Sequence, residues 1–327
     1  MYPLKFENIY FVKTWGGHRL SSFRKNLPDD KIGESWDVSC HENGVSIVAN
    51  GAYKGTSLDD LIKKYGHSLL GLCISSLHFP LLIKFINAEE PLSVQVHPDD
   101  NYSRINEDGI GKREAWYVVD VFGEASLIVG TSPCTKEQFK AAIKNNSLEK
   151  YLNTIKIKKG DIYFINSGTL HSIGSGVIIA EFQQNSDITY RIYDYNRGRE
   201  LHIDKALEVV NLNQKVDKSI GLSISIGNNT KTYVCLCENF ALEKYELTEE
   251  LSEESDIERF FIFTCVDGEG EIIYGSSNEA EKLSKGESLF IPATLGKYTL
   301  KGQMTLIKCY VPDIEKHKNE VLKHILK

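Results

Sequence analysis

Gln95, His97, Glu114 and His171 are the residues of this chain whose types and spacing could hold a metal ion. Two imidazoles, one carboxylate and one amide oxygen make a mixed N/O set. Such a set suits Zn²⁺ or another borderline divalent ion better than it suits Mg²⁺, and it differs from the thiolates of a purely structural zinc. A single carboxylate would leave the centre net positive, and uncompensated charge can polarise a carbonyl or hydroxyl oxygen of a substrate. Gln95 and His97 lie in Pro91-Leu-Ser-Val-Gln-Val-His-Pro-Asp-Asp100, where Ser93, Gln95 and His97 alternate with Leu92, Val94 and Val96. That is the period of a strand with one polar and one apolar face, so the three polar groups point the same way. Pro98 and the two aspartates stop the strand and leave His97 near an end of the sheet. Polar alternation is also common on ordinary strands, so spacing alone leaves a metal site and a polar strand end both open.

The elements that must position these groups are mainly strands. From Pro80 onward one apolar run follows another. Leu81-Leu-Ile-Lys84-Phe-Ile-Asn is apolar except for Lys84, which either snorkels to the rim or binds an anion at a pocket mouth. Gly111-Lys112-Arg-Glu114 leads into the buried strand Ala115-Trp-Tyr-Val-Val119, with Lys112 and Glu114 on one face by alternation. Helices are expected at three places between the strands. Ser57-Leu-Asp-Asp60 opens one that ends at Gly66, Thr135 and Gln138 have capping-box spacing for another over 135–146, and 202–210 reads as a third. Residues 313–327 read as a charged amphipathic helix at the terminus.

One unit occurs twice. Lys156-Ile-Lys-Lys-Gly-Asp-Ile-Tyr-Phe-Ile165 is echoed by Lys282-Leu-Ser-Lys-Gly-Glu-Ser-Leu-Phe-Ile291, a match long enough to mark a duplicated β-module. The polar stretch 213–219 separates the copies, which places modules at 1–215 and 216–327. In the second copy Lys297 or a neighbour takes the place of His171. Matching Gly123-Glu124 with Gly268-Glu269 puts Arg259 in the place of Glu114. Cations at both positions are incompatible with a bound metal, so only the first copy is expected to carry the site.

The bulk properties are those of a protein acting on a small molecule. The chain has 327 residues, enough for two domains, and 41% apolar residues, enough for real cores. A net charge of -7 without a basic block argues against nucleic acid or an anionic membrane surface as the partner. No apolar run approaches the roughly 20 residues that span a bilayer, and the N-terminus lacks the features of a signal peptide, so a cytoplasmic location is expected. Seven scattered cysteines fit reduced thiols rather than a disulfide frame, with Cys235 and Cys237 read as packed strand residues.

Taken together, Pro91-Leu-Ser-Val-Gln-Val-His-Pro-Asp, Gly111-Lys-x-Glu114 with Trp116-Tyr117, Gly168-Thr-Leu-His171 and Thr189-Tyr-Arg191-Ile-Tyr-Asp194-Tyr-x-Arg197 resemble the type I mannose-6-phosphate isomerases in their short bacterial form. The likeness runs from Trp15-Gly-Gly through Gly33-Glu-Ser-Trp36 to about Leu212, and the second copy carries little of it. The resemblance implies two cupin-like (double-stranded β-helix) modules, with a few helices inserted in and after the first. It also implies one Zn²⁺ per chain on Gln95, His97, Glu114 and His171, with Arg191 as an essential active-site arginine. The reaction would interconvert mannose 6-phosphate and fructose 6-phosphate through an enediol, whose developing oxygen charge needs cationic stabilisation. Glu181 and Lys112 are the candidates for moving the proton. Ser93 and Lys84 resemble positions near the sugar phosphate. The plain alternative for Arg191 is a surface ion pair with Asp187 or Asp194. Two other functions compete: a sugar-binding cupin without catalysis, which would need no proton-transfer groups, and a cupin dioxygenase, whose iron would use an open facial triad that a fourth ligand such as Gln95 crowds.

Overall fold

Short alternating runs broken by Gly, Pro and Asn produce antiparallel sheets, and capped helices fill the longer connections. The structure, a computed structural model, describes residues 1–325, so the last two residues of the helix expected over 313–327 lie outside the described residues; the helix itself runs Ile314–Ile325. The Ser57 hydroxyl accepts from the Asp60 N–H at the start of the helix Leu58–Tyr65, and Gly66 ends it with φ +49°. Thr135 and Gln138 form the expected capping box on the helix Lys136–Lys144, and the third helix covers Ile203–Val209. Among the described residues no helix is long and apolar enough to cross a membrane.

The architecture is mainly β. A six-stranded sheet has the order Ile9–Gly17, Ile32–Val38, Leu81–Ala88, Val177–Gln184, Glu114–Val121, Ile162–Ile165. A five-stranded sheet runs Tyr190–Tyr193, Val94–Val96, His171–Ile173, Ser126–Thr131, Leu152–Lys156. Between them lies an apolar core that includes Trp15, Trp116, Val118, Leu127, Tyr163, Ile173 and Ile179. Val94 and Val96 face the other way, into a second cluster with Phe139, Leu170, Ile192 and Leu207, where two of the helices cover the five-stranded sheet. The pleat therefore turns Gln95 inward, as the alternation requires.

The chain divides into two compact units. One holds residues 10–35 and 85–219; the other holds 1–9, 36–84 and 220–327. A division at residue 215 alone would place 1–9 and 36–84 with the first module, whereas their contacts group them with the C-terminal strands. Leu4 and Phe290 exchange both backbone hydrogen bonds at 2.8 and 2.9 Å, and Ser288 donates to Asp37 at 3.0 Å. The rings of Phe6, Phe79, Phe260 and Phe290 pack together as well. Pairings this distant in sequence leave no local pattern to read. In this unit an eight-stranded sheet closes on Tyr245, Phe263, Ile272 and Leu306.

The register also corrects the alignment of the two copies. Ile165 pairs with Glu114, and its counterpart Ile291 pairs with Phe261. Phe261, not Arg259, thus stands where Glu114 stands. Gly123 and Gly268 both have positive φ, +82° and +75°, but Gly123 lies beyond the end of the strand Glu114–Val121 whereas Gly268 lies inside the long strand Phe261–Tyr274, so the two glycines are not equivalent anchors. A phenyl ring excludes a metal there as surely as a cation would. Arg259 is 4% exposed and pairs with Asp256 at 3.2 Å. Arg259→Ala should lower stability by about 1–3 kcal/mol, and Lys297→Ala at an exposed strand start by at most about 0.5 kcal/mol. Neither should change turnover; a hundred-fold loss of kcat with normal melting and metal content would contradict this.

Candidate metal and catalytic site

Three strands and one loop bring the expected ligands together. His171 pairs with Gln95 across the five-stranded sheet, and Gln95 pairs on its other side with Arg191, so Arg191, Gln95 and His171 form a row on one face. Glu114 begins its strand in the facing six-stranded sheet, opposite Gln183 and two residues from Trp116. The ligand atoms of His97, Glu114 and His171 all lie within 4.8 Å of one another, and the three residues are buried. His171 Nε2 is 3.3 Å from Glu114 Oε1, and His97 Nε2 is 3.5 Å from Oε2.

Backbone carbonyls choose the tautomer of both rings. His97 Nδ1–H donates to Ile188 O at 2.8 Å, and His171 Nδ1–H donates to Thr169 O at 2.9 Å. In the neutral rings each Nε2 then carries a lone pair directed at the cluster, the arrangement in which a histidine binds metal. Burial pushes the His171 pKa down to about 4, with the nearby Lys112 ammonium adding to the effect, so His171 is neutral at pH 7. The unfolded chain takes up this proton near pH 6.5 and the folded chain only near 4. The resulting stability, about 3 kcal/mol in full, is present above pH 6.5 and lost as pH falls toward 4. Melting temperature in a chelating buffer should drop across that window, and His171→Asn should flatten that part of the profile; a wild-type melting temperature constant from pH 7 to 4 would oppose it.

The donor set fits a divalent cation. Both oxygens of Glu114 are buried and accept no hydrogen bond among the described residues. A cationic group already lies among them: Lys112 Nζ is 2.9 Å from Glu114 Oε2 and 3.1 Å from His97 Nε2. Gln95 points its amide nitrogen at His171 Nε2, 3.4 Å away, while its oxygen accepts from Ser93 Oγ at 3.0 Å. A half turn of the amide would bring the oxygen to the cluster and leave the NH₂ facing the Ser93 hydroxyl, which can accept.

Lys112 also lies 3.8 Å from Glu181 Oε1, and Glu181 Oε2 accepts from the Trp116 indole N–H at 3.2 Å. Lys112, Glu181 and Glu114 are all buried. Arg191 is half-buried, and its Nε is buried without a hydrogen-bond partner among the described residues. Among the described residues Arg191 pairs with neither Asp187 nor Asp194, because Arg199 forms a two-pronged ion pair with Asp194. Lys84 is only 7% exposed and so does not snorkel to a rim. Sequence reasoning missed the anchoring roles of Trp116 and of the Ile188 and Thr169 carbonyls. Trp116 was within reach, because it shares a strand face with Glu114; backbone acceptors have no side-chain signature.

Comparisons with known proteins agree in kind. Residues 4–116 match the phosphomannose isomerase type I catalytic domain, and residues 229–311 match the mannose-6-phosphate isomerase cupin domain. The chain is 36% identical over 307 residues to mannose-6-phosphate isomerase ManA of Bacillus subtilis, covering 92% of this chain and 96% of that protein. It is 34% identical over 312 residues to mannose-6-phosphate isomerase of Streptococcus mutans, covering 93% and 97%. The crystal structure of mannose 6-phosphate isomerase from Bacillus subtilis superposes with a TM-score of 0.88 at 34% identity, over 94% of this chain and 99% of that one. A putative mannosephosphate isomerase from Archaeoglobus fulgidus shares the fold, with a TM-score of 0.77 at 23% identity over 94% and 97%.

Proposed function

The chain belongs to the type I mannose-6-phosphate isomerases, and from that premise we propose that it interconverts mannose 6-phosphate and fructose 6-phosphate through an enediol, with one zinc ion per chain. The observation that carries the reading is the convergence of His97, Glu114 and His171 on one point, with both Glu114 oxygens buried, accepting no hydrogen bond among the described residues and faced by the Lys112 ammonium, a cation where the ion would sit. These residues, with Gln95 after its amide turns, would hold the metal. When bound, the ion supplies positive charge that stabilises negative charge developing on substrate oxygen.

The chain's own residues divide the remaining work. Isomerisation takes a proton from C2 of the aldose and returns one to C1. Lys112 and Glu181, 3.8 Å apart and buried, are the pair that moves it. The Trp116 indole holds Glu181 by one oxygen and leaves the other toward Lys112. Arg191, beside Gln95 in the strand row, supports the charge of the enediol. The phosphate falls to Lys84 and Ser93, which resemble positions near the sugar phosphate in that family, the lysine as a point charge and the serine as a neutral donor. Burial around the cluster excludes bulk water, which strengthens each of these interactions. The seven free thiols suit a reducing cytoplasm.

The test is turnover of mannose 6-phosphate by zinc-loaded protein in deuterium oxide, reading fructose 6-phosphate and solvent deuterium at C1. Conversion with deuterium incorporation is expected. No conversion, or binding of the sugar phosphate without conversion, would turn the assignment toward a non-catalytic sugar-binding protein.

A further inference from the structure

We propose that Gln184 and Asp100 are positioning residues that clamp the backbone around Lys112 and so hold its ammonium beside the His97–Glu114 cluster and Glu181; this rests on the assignment of Lys112 to the proton-moving pair. Three successive amides ahead of Glu114 are each tied to a different part of the module. Gly111 N–H donates to Asp100 Oδ1 at 2.8 Å, Lys112 N–H to Pro98 O at 3.1 Å, and Arg113 N–H to Gln184 Oε1 at 2.9 Å. Gln184 closes the clamp. Its backbone N–H donates to Arg113 O at 3.2 Å and its side-chain NH₂ donates to Asp100 Oδ1 at 2.9 Å.

The chemistry of this joint selects a glutamine. One end of the side chain must accept from a backbone N–H and the other must donate to a carboxylate, both from a residue 4% exposed. Ionised glutamate has no donor and lysine has no acceptor, whereas an amide has both. The close approach is also built for glycine: a Cβ on Gly111 would lie 2.6 Å from Asp100 N. The segment 98–100 follows His97 directly, and Arg113 precedes Glu114, so the clamp fixes the Lys112 backbone relative to both ligands that its ammonium approaches at 3.1 and 2.9 Å. Gln184 and Asp100 therefore act through Lys112 and not on the reacting atoms.

A swap experiment tests this. Gln184→Glu sets two carboxylates against each other and removes the donor to Asp100. With Lys112 displaced by about an ångström, kcat should fall about 10²-fold, while KM and metal content stay near wild type. Adding Asp100→Asn removes one of the two charges and restores a donor: both wild-type bonds fall on Asp100 Oδ1, and a turn of the new amide lets its NH₂ donate to the carboxylate introduced at position 184 while its oxygen accepts from Gly111 N–H. The double variant should therefore recover most of the lost kcat. Should Gln184→Glu not fold, Gln184→Met removes both side-chain bonds without a charge and carries the same kcat measurement. Wild-type kcat in the single variant, or a loss that the swap does not repair in a protein of normal melting temperature, overturns the clamp. Failure of the wild-type protein to convert mannose 6-phosphate would instead sink the functional reading beneath it.

Discussion

His171→Ala and His97→Ala should each empty the metal site. Elemental analysis of the wild-type protein is expected to find one divalent ion per chain, and of either variant almost none. Losing an outer-shell partner alone takes about 10–100-fold from metal affinity, so losing an inner imidazole takes more. Turnover should fall with it by about 10³-fold or more, because several kcal/mol of charge stabilisation disappear at about 1.36 kcal/mol per factor of ten. The fold should survive, since Glu114 keeps the Lys112 ammonium at 2.9 Å as its counter-charge. Two ions per chain, or full metal content in His171→Ala, would refute the single-site assignment, because the second copy offers Phe261 and Lys297 at the corresponding places.

How far the sequence leads here depends on the range of the interaction. The alternation around Gln95 and His97 is a local signal, and the sheet obeys it: Val94 and Val96 enter one core cluster while Gln95 pairs with His171 on the other face. Helix ends were equally legible, because caps such as Ser57 and Thr135 satisfy amides only three residues away. The grouping of residues 1–9 and 36–84 with the C-terminal strands was not, because it depends on pairings such as Leu4 with Phe290 that no period or cap encodes. The place of Glu114 in the second copy failed for a related reason: a Gly-Glu pair at a turn was matched with one inside a strand. Within the site, the ligand types were readable and the carbonyls that aim them were not, since a backbone acceptor looks the same in every sequence.

Arg191→Ala should lower kcat by about 10²–10³, equivalent to about 3–4 kcal/mol of transition-state stabilisation, with KM changed far less. The expectation follows from where the guanidinium stands. Arg191 is next to Gln95 in the row that leads to His171, yet no carboxylate forms an ion pair with it among the described residues, and its Nε is buried without an acceptor. Burial lowers its pKa, but a guanidinium remains charged at any working pH. A half-buried cation without a paired counter-ion is held at some cost in the resting protein, and negative charge that appears only during reaction would relieve that cost at the barrier and not in the ground state. Such an interaction shows in kcat. Lys84→Ala, at the position assigned to the phosphate, should behave in the opposite way, raising KM with a smaller effect on kcat, because the phosphate is bound equally before and during reaction. Metal content should be normal in both variants, as neither residue is a ligand. Steady-state kinetics with mannose 6-phosphate on the three proteins decide the matter. If Arg191→Ala keeps its kcat and loses only KM, the arginine binds ground-state phosphate, and the charge of the enediol falls to the metal and Lys112.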